Sequence, residues 1–136
     1  MRYGTAPGRG GGILGFPPVV SQLVLVNVVV VLLQPFLPQS WIFSGLSLVP
    51  HQVMTKGMVW ELATYMFLHG GIMHILMNMF MLVIFGSDLE RWWGSRPFLK
   101  YYFITGIGAG VIHIVSAYFL GGNPRIPVIG ASGAIF

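Results

Sequence analysis

Residues 72–120 are IMHILMNMFMLVIFGSDLERWWGSRPFLKYYFITGIGAGVIHIVSAYFL, two apolar runs joined by a short charged turn. The first run extends from about Ile72 to Trp93, and as a helix rising about 1.5 Å per residue it would be roughly 33 Å long. The second run, from Phe98 to Leu120, has a similar length. The hydrocarbon core of a bilayer is about 30 Å thick, so each run predicts one transmembrane helix.

The composition of the whole chain indicates a membrane protein. Only 7% of the 136 residues are charged, whereas 55% are hydrophobic and the mean hydropathy is +0.80. Soluble domains carry about 25% charged residues, so this chain could not cover a soluble surface. The absence of cysteine excludes disulfides, thiolate metal sites and a cysteine nucleophile. No basic cluster supports nucleic-acid binding.

The remaining segments predict an all-α, polytopic helical bundle. PPVVSQLVLVNVVVVLLQ, residues 17–34, predicts a further span that opens with proline in its first turn and is stopped by Pro35. GASGAIF, residues 130–136, resembles the first turn of a fourth helix. We therefore expect a flexible tail over 1–16 and a membrane domain over 17–136. That domain contains three full spans and is incomplete at its C-terminus.

The apolar segment 35–71 is broken by prolines and glycines and carries Trp41 and Trp60, which suit a membrane interface. Within this interfacial loop, residues 58–69 predict one short amphipathic helix.

Basic residues predict the orientation in the membrane. Five of the seven lie before the first span or between spans two and three (Arg2, Arg9, Arg91, Arg96 and Lys100), and the other loops hold only Lys56 and Arg125. Cytoplasmic loops are enriched in Lys and Arg, so we predict a cytoplasmic N-terminus. The membrane that we expect is the plasma (inner) membrane. We expect the basic residues of the charged turn to pair with Glu90 and with lipid phosphates.

Three polar residues are candidates for chemistry near the outer membrane face. His74 and Asn78 are four residues apart, so a helix puts them on one face, and Ser132 follows Gly130 at the start of the fourth helix. Polar residues within a membrane are frequently functional, but they also serve as interhelical hydrogen bonds of about 0.6 kcal/mol. Small residues such as those of 130–133 also permit close helix packing. Spacing alone leaves these alternatives open.

The combined motifs are more specific. The stretch from Trp60 to Phe136 resembles the rhomboid intramembrane serine proteases. It carries HxxxN at His74 and Asn78, ExxxG at Glu90 and Gly94, and GxSG at 130–133. The resemblance implies that Ser132 is the nucleophile and that His74, Asn78 and the Ser132 backbone N–H form the oxyanion hole. It implies a supporting role in the interfacial loop for His69.

Two features depart from the family pattern. Rhomboids place their general-base histidine two spans after the serine, and this sequence stops at Phe136, so we expect these residues alone to be inactive. His113 matches no family motif, which favours a packing role. Where many members have Trp-Arg, this chain has Trp60-Glu61, so the role of that arginine does not transfer.

The resemblance implies a serine endopeptidase that cleaves transmembrane proteins near the extracytoplasmic face and needs no metal or cofactor. Its partners would be transmembrane substrates and lipid, with no nucleic acid. The alternative is a non-catalytic rhomboid-like protein that binds transmembrane clients.

Overall fold

Residues 11–135 are described by a computed structural model, and residues 1–10 and Phe136 lie outside that description. The helices within it are α1 (Pro18–Leu33), α2 (Gln39–Trp41), α3 (Pro50–Lys56), α4 (Glu61–Thr64), α5 (Ile72–Met81), α6 (Ser87–Trp93), α7 (Ser95–Phe119) and α8 (Ser132–Ile135). Of the predicted tail, only 11–16 is described, and it forms a turn in which the Gly12 N–H donates to the Phe16 carbonyl at 2.6 Å. The remainder of that prediction falls outside the described residues.

Three helices in the described chain are long and apolar enough to cross a membrane, as predicted: Pro18–Phe36, Ile72–Trp93 and Ser95–Phe119. The first span ends in a 3₁₀ turn over Gln34–Phe36. The second contains α5 and α6, joined without a break by a π-helical segment over Leu82–Gly86. Between residues 11 and 135 there is no β-strand, and one isolated β-bridge pairs Leu48 with Val128. The all-α, three-span prediction is confirmed.

The third span begins at Ser95, three residues before the predicted start at Phe98. Gly94 turns the chain with a φ of +90°, a conformation that glycine adopts without strain. Pro97 then falls in the first helical turn, where its missing N–H leaves no helical hydrogen bond unmade. A proline near this boundary therefore belongs to the helix rather than preceding it.

The interfacial loop is more divided than predicted. The prediction of a single helix over 58–69 is wrong, because the structure has the short helix α4 followed by a 3₁₀ turn over Tyr65–Phe67. Side chains of this region bind the preceding segment: Trp60 Nε1 donates to the Gly45 carbonyl at 2.9 Å, and the Thr64 hydroxyl donates to the Leu46 carbonyl at 2.6 Å. These tertiary hydrogen bonds determine the local path of the chain.

Glu61 organises the same loop from within. Its carboxylate is fully buried and accepts the Val49 N–H at 2.9 Å, directly before α3. With its amide oriented to donate, Gln52 Nε2 lies 2.8 Å from Glu61 Oε1 and 2.9 Å from the Ser44 carbonyl. Burial raises the pKa of Glu61 above its ordinary value. A buried acid thus holds this loop together from within.

Glu90 corrects one expectation from the sequence. Its carboxylate is buried instead of pairing with the basic residues of the turn. Glu90 Oε1 accepts the Val19 N–H at 2.9 Å and the Ser95 hydroxyl at 2.6 Å, and Oε2 accepts the Val20 N–H at 2.9 Å. The first N–H groups of a helix have no partner within that helix, so this carboxylate caps α1 from the second span.

Replacing Glu90 with alanine is expected to destabilise the bundle by about 2–4 kcal/mol, because two buried backbone N–H groups would lose a charged acceptor. The check is unfolding of the purified protein in detergent micelles. Asp88→Ala is the matched control, since Asp88 forms only an exposed ion pair with Arg91 at 3.2 Å, of a kind that contributes at most about 1 kcal/mol. Equal stability of the two variants would contradict the capping role.

Candidate active site

His74 and Asn78 converge on the backbone at Gly130. A Cβ atom built on Gly130 would lie 2.6 Å from His74 Nε2 and 3.5 Å from Asn78 Nδ2. Gly130 also has a φ of +117°, which side-chain-bearing residues rarely adopt. Position 130 therefore requires glycine both for its conformation and for the space that the histidine occupies. The two predicted polar residues meet the chain two positions before Ser132.

The hydrogen bonding of His74 determines which of its nitrogens can donate. The Gly70 N–H donates to His74 Nδ1 at 3.2 Å, so Nδ1 is the unprotonated nitrogen of a neutral imidazole. The proton is then on Nε2, the nitrogen that faces Gly130. Asn78 is buried, and its Nδ2 has no hydrogen-bond partner among the described residues. Two side-chain donors are thus directed at one location.

Ser132 is the first residue of α8, and its side chain is exposed in the described part of the chain. The elements around it are fixed by close contacts. The Gly130 N–H donates to the Tyr65 carbonyl at 2.9 Å, and a Cβ on Gly133 would lie 2.9 Å from Ala109 Cβ and 2.9 Å from the Tyr65 hydroxyl. Small residues thus allow α8, which begins at Ser132, to approach the third span closely.

Comparison with known proteins identifies the family. The sequence model of the rhomboid domain matches residues 56–136. The chain belongs to the rhomboid family. It is 38% identical over 103 residues to RHOMBOID-like protein 6, mitochondrial, of Arabidopsis thaliana, which covers 74% of this chain and 32% of that protein. It is 30% identical over 125 residues to RHOMBOID-like protein 5 of the same plant, covering 92% of this chain and 36% of the relative.

A bacterial relative is named as a protease. Rhomboid protease GluP of Bacillus subtilis (strain 168) is 35% identical over 86 residues, which covers 63% of this chain and 16% of that protein. The chain thus spans about a third or less of the length of these three relatives. It is an integral membrane protein of a family that includes intramembrane proteases.

His69 lies beside His74 as part of the interfacial loop. Its ring is buried and packs edge-on against His74 with the centroids 5.0 Å apart. Burial, with a smaller contribution from His74, lowers the pKa of His69 to about 4, so its ring is neutral at pH 7. Its backbone N–H and carbonyl each form a 3.0 Å hydrogen bond with the side chain of Gln34.

The recorded contacts of the other histidines and acids involve residues other than the two donors, and the Glu61 carboxylate accepts the Val49 N–H. His113 is on α7, and its Nε2 is buried without a hydrogen-bond partner among residues 11–135. The residue of α7 that a side chain at Gly133 would contact is Ala109, one turn before His113. His51 joins two loops through its backbone N–H, which donates to the Pro124 carbonyl at 2.8 Å. Asp88 and Glu90 belong to α6, at the opposite end of the second span from His74.

Sequence reasoning missed two residues near the candidate site. Tyr65 holds the Gly130 N–H with its carbonyl and donates its hydroxyl to the Gly106 carbonyl at 2.6 Å, so it links the interfacial loop, the third span and α8. Gln34 binds the backbone of His69, which is 35 positions away. Neither residue belongs to a motif or a periodic pattern, and only the polarity of Gln34 at the end of an apolar helix hinted at a partner.

Proposed function

We propose that the full-length protein is an intramembrane serine endopeptidase that cleaves transmembrane proteins near the extracytoplasmic face, with Ser132 as nucleophile. The observation that supports this most is the pair of donors at Gly130. His74 Nε2 and Asn78 Nδ2 face the residue two positions before the serine, and the Asn78 donor lacks a partner within the described chain. Preorganised donors of this kind stabilise an oxyanion as it develops.

The reaction follows the logic of serine acyl transfer. Ser132 Oγ attacks the carbonyl carbon of the scissile peptide, and its proton passes to a general base. The carbonyl oxygen becomes an oxyanion, which receives hydrogen bonds from His74, Asn78 and the Ser132 backbone N–H. The intermediate then collapses to an acyl ester on Ser132, and the departing amine takes the proton from the base. Water hydrolyses the ester and restores the serine.

The general base in this proposal is a histidine on a later helix, beyond the residues described, as the family resemblance implies. His113 remains a packing residue in this scheme. The acids also favour a Ser-His dyad over a triad, because Asp88 and Glu90 belong to the far end of the second span and the buried Glu61 carboxylate is occupied by the Val49 N–H.

The test uses the full-length protein reconstituted in lipid vesicles with a single-span substrate. We expect two cleavage products and covalent labelling of Ser132 by a fluorophosphonate, located by mass spectrometry. If the substrate co-purifies with the protein but is not cleaved, and Ser132 is not labelled, the protease proposal is refuted and the client-binding alternative is favoured.

We further propose that the protein resides in a plasma (inner) membrane with its N-terminus in the cytoplasm. The structure bears on this through Glu90, whose internal hydrogen bonds leave Arg96 and Lys100 without an acidic partner in the described chain. Both side chains are exposed, and we assign them to the phosphates of the cytoplasmic leaflet.

These 136 residues contain no cysteine, so the orientation can be tested with single introduced cysteines after replacement of any cysteine elsewhere in the protein. In intact cells, a membrane-impermeant maleimide is expected to label Lys56→Cys, in the interfacial loop, and to label Arg96→Cys only after permeabilisation. Both positions are exposed, so the two variants control for each other. The reverse labelling pattern would overturn the proposed topology and with it the outward-facing site.

A further inference from the structure

Gln34 forms a two-point clamp on the segment that precedes the second span. Its Nε2 donates to the His69 carbonyl and its Oε1 accepts the His69 N–H, both at 3.0 Å. The side-chain amide thus pairs with the main chain as a neighbouring strand would. Gln34 follows directly on α1, so this contact ties the outer end of the first span to the segment before α5.

The clamp lies where the chain has little rigidity of its own. Between His69 and the start of α5 are only Gly70 and Gly71, and glycine restricts the backbone less than any other residue. Fixing both polar groups of His69 fixes the peptide that follows it. That peptide carries the Gly70 N–H, which donates to His74 Nδ1 at 3.2 Å.

We propose that Gln34 is a positioning residue that acts through this relay. By holding the backbone of His69, Gln34 keeps the Gly70 N–H in its hydrogen bond to His74 Nδ1. That hydrogen bond places the ring proton of His74 on Nε2 and orients the ring so that Nε2 is directed at Gly130. The expected effect of Gln34 on kcat rests on the proposed protease function. The structural part, the state of the His74 ring, can be measured separately.

Gln34→Met removes both hydrogen bonds at nearly constant side-chain length. In the full-length protein we expect kcat to fall about tenfold or more while KM stays near the wild-type value, because a misoriented donor affects only the transition state. Gln39→Met is the matched control, since Gln39 is exposed at the start of α2. Gln34→Glu keeps an acceptor for the His69 N–H, so its kcat should fall between those of Gln34→Met and wild type.

The second readout is the nitrogen NMR spectrum of ring-labelled histidine in nanodiscs, with His74 assigned by its loss in His74→Ala. Wild type should show a single tautomer protonated at Nε2, and Gln34→Met should show averaged or multiple states. This readout also keeps the two proposals distinguishable. If wild type cuts no substrate, the protease proposal fails and the spectrum still tests the relay.

A wild-type His74 spectrum in Gln34→Met would overturn the relay, as would an unchanged kcat. A KM increase with kcat intact would equally refute it, because that pattern indicates a role in substrate binding. If Gln34→Met does not fold, kcat and the His74 spectrum are measured in Gln34→Glu instead. A wild-type kcat together with a wild-type spectrum in that variant would contradict the relay.

Discussion

Substitution of Ser132 by alanine is expected to reduce cleavage by the full-length protein to background, a loss of at least about 10⁴-fold where the assay range allows. In the proposed mechanism the acyl intermediate forms on this oxygen alone, so no other residue can replace it and the expected loss is large. The measurement is product formation from a single-span substrate in vesicles. Ser116→Ala is the matched control, since it removes a hydroxyl from the third span outside the predicted motifs.

Substrate binding should survive the Ser132 change, because one hydroxyl contributes little to the surface that holds a transmembrane helix. Crosslinking of the substrate to Ser132→Ala is therefore expected at the wild-type level. Residual cleavage within a factor of ten of wild type would mean that the nucleophile lies elsewhere. Equal losses in Ser132→Ala and Ser116→Ala would point to a folding defect instead of chemistry.

The three spans could be predicted from sequence because their cause is local. A bilayer requires about 20 consecutive apolar residues with internally satisfied backbone groups, and that requirement is visible in the order of residues alone. The boundary at Ser95 was harder to predict. It depends on whether Pro97 lies before or inside the first turn, and both positions are compatible with the sequence.

The interfacial loop and the role of Glu90 could not be predicted because their causes are distant along the chain. Glu90 caps Val19 and Val20, some 70 positions earlier, and nothing near Glu90 distinguishes it from an acid that pairs with the basic residues of the turn. Gln34 and His69 pair over 35 positions in the same way. Such contacts depend on which helices become neighbours, which residue periodicity does not specify.

Part of the candidate site could be predicted from the sequence. Helical spacing predicted that His74 and Asn78 share a face, and the structure has both on α5 with their nitrogens directed at Gly130. The predicted topology placed Ser132, 54 positions after Asn78, near the same membrane face, and only the family resemblance gave it a role together with the two donors. The tautomer of His74 required the Gly70 hydrogen bond and was beyond sequence reasoning altogether.

The two donors lead to the second large expected effect. His74→Ala and Asn78→Ala should each reduce kcat by about 10²–10³-fold, the usual cost of one oxyanion-hole donor, with a smaller change in KM. Met77→Ala is the matched control, because Met77 occupies the same helix with its side chain exposed on the outside of the bundle. Kinetics in vesicles should thus show a large loss of kcat for substitutions on the face of α5 that points at Gly130, and little change for Met77→Ala on the face that points away.

The double variant distinguishes an oxyanion hole from a packing role. Donors that bind the same oxygen act as a unit, so the combined loss should be smaller than the product of the two single losses. Fluorophosphonate labelling of Ser132 should slow in parallel with cleavage, since the phosphonyl oxygen occupies the same hole. If His74 and Asn78 serve only as interhelical hydrogen bonds of about 0.6 kcal/mol each, both variants should lose stability while retaining kcat. That outcome would remove the observation on which the protease proposal chiefly depends.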